Sequence, residues 1–482
     1  MTTSETPGLQ PIRPSCQVRI LSDEQLEQFK SATLTILDEV GVHCPSQIAL
    51  RIYAEHGAEV DLDDEIVRLP PEVVVEAMSH APRTYTLGGR DERFDLSLDG
   101  NTLACGTDGT GVETVDFETR ERRHSIKDDV ARSARIADYV SAVGFYWPMV
   151  SAQDCGVTAP LHELDAAFRN TVKHVQTETV MDEATAHFAV EMARVIAGDG
   201  HAMRERPPLS LLVCTIAPLG LDRGGMESAL AFAEAGLPVG FMSMANSAST
   251  APATSAGLIA QADAEMVAAM VLVQMAFPGA PTFHSLMPGI THPRTGGYLC
   301  PESHVYAVGV ELAHMWGVPA LAGTFGGDAA QPGWHMSRME GGGLLLCALC
   351  GAEMGNGMGL LQGSTVLYPE ALLLDADVYH SVRRDVAGVD TSEDALALEV
   401  VGDVGPRGHF LGQDHTRRHV HRWDLSELTT EPDGAGGYRD PIEVAREKTT
   451  WILENHQPRP LGQAQQAELT RILRSAEGEV SR

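Results

Sequence analysis

Residues 318–364 read VPALAGTFGGDAAQPGWHMSRMEGGGLLLCALCGAEMGNGMGLLQGS, and this stretch decides the fold. Residues 318–325 are small and apolar and run into Gly326 and Gly327, the pattern of a buried strand reaching a loop. Residues 328–334 are polar and carry Pro332 and Gly333. Residues 339–352 are long and apolar enough for a helix lying on a sheet, although Gly341, Gly342 and Gly343 each weaken it by roughly 1 kcal/mol. Residues 358–363 read as the next strand. Strand, loop, helix, strand is one βα step of a parallel sheet. Such folds carry their chemistry on the loop that follows the strand. Here that loop holds Asp328, Trp334 and His335.

The same rhythm repeats outward. Strands are expected near 102–106, 144–150, 172–177, 209–217, 238–244, 280–287, 318–325 and 358–363. Helices are expected near 127–143, 161–170, 182–196, 222–236, 252–277, 303–316, 336–351 and 369–383. Alternation of this kind means a parallel sheet with helical crossovers. Eight units favour a closed (β/α)8 TIM barrel over an open sheet. The chain therefore divides into an N-terminal α+β lead-in (1–100), the α/β barrel (101–385) and a C-terminal extension (386–482). In the lead-in, Ser22 caps a helix that Gly41 stops, and Pro71 opens another. No G-x-G-x-x-G follows an early strand, and GTDGTG at 106–111 lacks the Walker lysine, so it reads as a flexible loop.

Of the 482 residues, 35 are basic and 66 acidic, a formal charge of −31, which argues against nucleic acid as a partner. The eight cysteines include one C-x-x-C, Cys347 and Cys350, set in an apolar helix without a second pair. That places them in a core rather than on zinc. The N-terminus has no apolar h-region, and no run of eighteen uncharged apolar residues occurs. These features lead us to expect a cytoplasmic protein that does not enter a membrane.

Functional residues of a barrel sit at or just past the C-terminal ends of its strands. That rule selects Asp108, Gln153 and Asp154, Asn246, His284, Asp328 and Gln362, and the long loop after the sixth strand adds Arg294 and Tyr298. With Phe325, Trp334 and His335 they describe a pocket of aromatic rings, a carboxylate and a few basic groups. Such a pocket suits a quaternary ammonium, which donates no hydrogen bonds and is held by ring faces at about 0.5–2 kcal/mol each. Arg294 or His335 then suits a ligand carboxylate. The competing reading of each residue is plainer: polar groups at strand ends cap helices, and Trp334 and Phe325 belong to the barrel-mouth core. His415 and His419 lie four apart and invite a metal, but no H-E-x-x-H is present and they fall outside the barrel, so no metal site is expected. No G-x-S-x-G elbow supports a serine hydrolase.

Several stretches together resemble the trimethylamine methyltransferase family. They are LSDEQLEQFKSATLTILDEVGVHCPS, AEHGAEVDLDDEIVRLPPEVVVEAMSHAPRTYTLGGRD, VCTIAPL, GTFGGDAAQPGWHMSRMEGG, EMGNGMGLLQGS and VGPRGHFLGQDHTRRH, in order from residue 21 to about 420. The chain has no pyrrolysine, so it is similar to the branch that includes the glycine betaine enzymes. Where family members often carry Asp and Gln, this chain has Gly333 and His335, which suits His335 to a substrate carboxylate. The resemblance implies a TIM barrel that moves a methyl group from a quaternary amine, glycine betaine or a relative, to the cobalt(I) of a separate corrinoid protein. No cofactor is then bound in the chain itself, and no acid–base residue need be named as catalytic. The partners expected are the corrinoid protein, the small quaternary amine and further copies of the chain. A metal-dependent lyase or hydrolase using His284 with Asp108 or the tail histidines, and a betaine-binding protein without turnover, are the alternatives.

Overall fold

A computed structural model describes residues 5–421 and 423–480. Residues 1–4 of the expected N-terminal arm, and residues 422, 481 and 482 of the extension, lie outside the described residues. Eight strands form the central sheet: β1 Ala104–Thr107, β2 Val143–Tyr146, β3 His174–Thr177, β4 Leu209–Cys214, β5 Val239–Ser243, β6 Thr282–Leu286, β7 Leu321–Gly323 and β8 Met354–Met358. Each lies parallel to its neighbour, and β8 returns to β1 through Met354 opposite Ala104. A bridge from His284 to Ala320 joins β6 to β7 and closes the ring. The helices are α1 Lys127–Tyr139, α2 Ala159–Asn170, α3 Glu183–Ala197, α4 Arg223–Ala235, α5 Ser255–Ala276, α6 Ser303–Met315, α7 Trp334–Leu349 and α8 Ala371–Val386. The fold is an α/β TIM barrel.

Alternation along each strand sends one set of side chains inward. Phe145, Trp147, Leu212, Met242, Phe283, Leu321 and Met354 share the barrel interior. Two glycines make room for rings: a Cβ on Gly106 would stand 2.2 Å from Phe145, and one on Gly240 would stand 2.0 Å from Phe283. Alternating large and absent side chains is how a barrel of this size fills without voids. The hairpin Tyr85–Leu87/Leu96–Leu98 plugs the N-terminal end, adding Leu87, Leu96 and Leu98 to the same interior. Tyr85 Oη donates to the carbonyl of Thr282, at the start of β6 (3.1 Å).

The eighth strand is displaced from the expected 358–363 to Met354–Met358. The sequence MGNGM carries residues that strands avoid, and the packing explains them. A Cβ on Gly355 would meet Cys105 Sγ at 2.7 Å, and one on Gly357 would meet the Phe325 backbone at 2.4 Å. The last strand is squeezed between β7 and β1 and pays for closure with glycine. Residues Leu360–Leu361 instead pair with Val366–Leu367, which joins the hairpin Glu113–Val115/Arg122–His124 over the rim. The expected flexible loop at 106–111 is clasped: Gly111 N donates to Met149 O (2.9 Å), and Asp108 N to Met358 O (2.9 Å).

Helix α5 is apolar all round, which marks a helix covered on both faces. It is long and apolar enough to cross a membrane, yet 83% of its most apolar window is buried. The barrel covers one side. The lead-in helices Asp23–Thr35, Gln47–Glu55 and Pro71–Met78 cover the other. Thr33 Oγ1 donates to Asp263 of α5 (2.6 Å). The first of these helices starts at Ser22, with the reciprocal Ser22–Gln25 capping box, and its last turn stops at Gly41. Cys347 is buried on α7 and Cys350 is buried at its C-terminal cap. In the extension, Pro441–Asn455 packs on α1 and α8, and Gln463–Val480 packs on α3 through Leu469, Ile472 and Ala476.

Candidate active site at the barrel mouth

The C-terminal ends of the strands converge on a mouth lined by acids and rings. Past β1 stands Asp108, past β2 Trp147, past β3 Glu178, and β4 ends in Cys214. Thr107 ties the first two ends: its hydroxyl donates to Trp147 O (2.7 Å) and accepts from Trp147 N (2.8 Å). The loop after β6 folds back as a hairpin, Gly289–Thr291/Tyr298–Leu299, and brings in Tyr298 and Cys300, whose thiol points at the Tyr298 hydroxyl (3.7 Å).

Asp108 is almost wholly buried. Its Oδ1 accepts from Gly109 N (3.0 Å), and its Oδ2 has no hydrogen-bond partner. Gly326, in the left-handed region at φ +74°, lets the β7 loop close over that oxygen, since a Cβ there would stand 2.7 Å from Oδ2. Burial raises the Asp108 carboxyl to about 6 despite bonds from Ser364 and Gly109. Glu178 accepts from Thr110 N (2.6 Å) and faces the Cys214 thiol at 3.9 Å. Burial first, then the nearby charges of Asp108 and Glu163, push its carboxyl up to about 8. Three further inward groups lack partners among the described residues: Trp147 Nε1, the Gln176 amide and Ser285 Oγ. Buried polar groups left unpaired are rare in folded proteins. They stand on or just past barrel strands, with Asp108 and Glu178 at the strand ends where such folds carry their sites.

Beside the mouth, α7 and α8 bring two more acids together. Gly359 N donates to Asp375 Oδ2 (2.6 Å), while both oxygens of Glu340 and Oδ1 of Asp375 have no donor. Burial raises the Glu340 carboxyl to about 8, and burial with the charge of Glu340 raises Asp375 well above its ordinary value. Two carboxyl groups so placed share a proton rather than both ionise.

The expected residues fall into three groups. Asp108 lies in the mouth with Tyr298 beside it. On the β7 rim Asp328 Oδ1 lies 3.0 Å from His335 Nε2, with His335 half exposed. Gln362 is a clamp: its amide donates to Ala330 O (2.9 Å) and its carbonyl accepts from Arg122 (3.0 Å), so it joins the loops after β7 and β8. Phe325 packs against the helical layer. Arg294 sits at an exposed turn, and Trp334 is 81% exposed at the start of α7. Gln153 holds Val112 and Ser125, Asp154 caps Lys127, and Asn246 turns the loop after β5. Glu178, Trp147, Gln176 and Cys214 were not anticipated. Glu178 is the residue next to the expected end of the third strand, and the strand-end rule applied one position further would have found it.

The two metal constellations fare differently. His284 points outward, fully buried, with Nε2 2.9 Å from Asp263 of α5, so it does not join Asp108. His415 and His419 do meet, rings stacked at 4.2 Å, with Asp394 within reach of both. That carboxylate is already held by Arg418 (3.1 Å) and His419 (3.0 Å).

Known proteins supply the frame for this mouth. The description "Trimethylamine methyltransferase (MTTB)" matches residues 2–479. The chain is 31% identical to trimethylamine methyltransferase MttB of Desulfitobacterium hafniense over 472 residues, covering 95% of this chain and 94% of that one. It is 27% identical to a glycine betaine methyltransferase of the same species over 454 residues, 91% and 93% of the two chains. Among solved structures, the monomethylamine methyltransferase MtmB of Methanosarcina barkeri superposes with a TM-score of 0.52 at 11% identity, covering 92% of this chain and 89% of that one. That likeness is one of fold, and it agrees with the barrel described above. The match along nearly the whole length settles the assignment: the chain belongs to the trimethylamine methyltransferase family.

Proposed function

We propose that the chain takes a methyl group from a quaternary amine of the betaine type and delivers it to the cobalt(I) of a separate corrinoid protein. The observation that carries the amine half is the mouth itself. Burial lifts the Asp108 carboxyl to about 6 and the Glu178 carboxyl to about 8, so the pair holds at least one proton at neutral pH, with Trp147 and Tyr298 on the same mouth. A permanent cation entering this chamber restores the counter-charge that burial removes, and both carboxyls ionise around it. Ring faces add about 0.5–2 kcal/mol each. Family membership and the glycine betaine relative support the same reading.

The corrinoid supplies the cobalt(I) electron pair that takes the methyl carbon. The C–N bond breaks with its electrons staying on nitrogen, so a neutral tertiary amine leaves and needs no proton. The chain's residues then orient the C–N bond towards the open mouth and keep water out. Nothing in this chemistry asks for the buried carboxyls to act as acid or base; they hold the ammonium. Arg294 and His335 on the rim suit the carboxylate of a betaine.

Titration calorimetry of the full chain with glycine betaine, proline betaine, carnitine and trimethylamine tests the amine half. At least one should bind, and Asp108→Asn with Glu178→Gln should weaken it tenfold or more. Binding unaffected by that double substitution contradicts the chamber.

A further inference from the structure

Residues 388–421 fold without a core: none of them is buried. The helices Glu393–Leu396, Leu398–Val404 and Asp414–Val420 are of four, seven and seven residues. Helices so short do not hold themselves in water. A segment that buries no apolar surface needs a staple, and a bound metal is one that side chains can build. Three metal-ligating side chains meet between the first and third of these helices: Asp394, His415 and His419.

His415 and His419 stand one helical turn apart with their rings stacked at 4.2 Å. His419 Nε2 lies 3.0 Å from Asp394 Oδ2, and His415 Nε2 lies 2.9 Å from the Asp394 main-chain oxygen. One ligand atom from each of the three residues lies within 4.8 Å of the other two. Zinc held tetrahedrally at about 2.0–2.2 Å from nitrogen and oxygen sets its ligand atoms roughly 3.3 Å apart, so small side-chain rotations close the set. The other carboxylate oxygen, Oδ1, accepts from Arg418 (3.1 Å), which fixes the carboxylate with Oδ2 toward the rings. Two imidazoles and a carboxylate suit zinc, whereas magnesium and calcium take oxygen ligands. The sequence expectation of no metal rested on the histidines alone; the third ligand lies 21 positions before His415. We propose that Asp394, His415 and His419 bind one zinc ion, with water in the fourth position, and that the ion clasps the two helices together. The site is structural and takes no step in the chemistry at the mouth.

Titration calorimetry of the tag-free, chelator-stripped full chain with zinc chloride tests this. One equivalent should bind per chain, and trypsin should then cut more slowly at Arg407, Arg417 and Arg418. Asp394→Asn and His419→Ala should each weaken that equivalent about tenfold or more and abolish the protection. Far-ultraviolet circular dichroism should be unchanged in both, because neither side chain is buried. Absence of saturable zinc binding overturns the proposal. Binding that either substitution leaves intact overturns it too, and assigns the metal to other side chains such as the free cysteines. Zinc binding that leaves trypsin cleavage of this segment unchanged overturns the clasp.

Discussion

Replacing Glu340 with glutamine should stabilise the protein at neutral pH. Burial beside Asp375 holds the Glu340 carboxyl at about 8 against an ordinary 4.5. In the unfolded chain the group ionises freely at pH 7; in the folded one it must keep its proton. That retention over roughly 2.5 pH units costs about 3.5 kcal/mol at most, at ~1.4 kcal/mol per unit. Relaxation around a buried carboxyl reduces the figure, so a gain of about 1–2 kcal/mol is expected. The sign follows from the raised value: the carboxyl's stabilising contribution is complete below pH 4.5 and is lost as pH rises through about 8. Glutamine keeps the shape, cannot ionise, and offers an N–H to the unpaired Asp375 oxygen. Urea unfolding of both proteins at pH 5.5, 7 and 8 measures the effect. The variant's advantage should be smallest at pH 5.5 and grow towards pH 8. A variant less stable than wild type at pH 8, or an advantage that does not change with pH, refutes the reasoning.

Betaine affinity should rise with pH between about 6 and 8, the values to which burial lifts Asp108 and Glu178, because the cation binds the ionised forms and expels their protons. Calorimetry in buffers of different ionisation enthalpy should report net proton release, and Glu178→Gln should flatten the upper part of the rise. His335→Ala should weaken glycine betaine several-fold and leave trimethylamine unchanged, since only the betaine has a carboxylate for the rim; equal losses for both would place His335 elsewhere. Gly326→Ala forces a Cβ to 2.7 Å from Asp108 Oδ2 at a φ that only glycine tolerates well, so it should cost about 1–3 kcal/mol of stability and most of the ligand affinity. A thermal scan and a binding isotherm on that variant check both.

Seven of the eight strands were legible because each is an apolar run that stops at a polar or glycine break before a helix. The eighth was hidden by its own function in the closure: Gly355 and Gly357 look like loop, yet one is required by the Cys105 and Thr324 side chains and the other by the Phe325 backbone just past β7. Asp108 could be found from the strand-end rule alone, but its meeting with Glu178, seventy positions on, depends on two strand ends facing across a ring. Gln362 was selected as a strand-end group because the strand was placed too late; in the structure it clamps two loops. Helical spacing suggested that His415 and His419 share a face, as they do, while Asp394, which completes that cluster, comes from a separate short helix that no local pattern announced. Burial, unlike periodicity, has no local signature, and it is burial that sets the protonation of the mouth.

The most direct test of the central claim mixes the purified chain with glycine betaine and its relatives, using a corrinoid protein reduced to the cobalt(I) state as acceptor. The account predicts loss of the cobalt(I) absorbance with one demethylated tertiary amine formed for each cobalt consumed, abolished by Asp108→Asn with Glu178→Gln. A cobalt(I) spectrum that persists with every quaternary amine intact would contradict it.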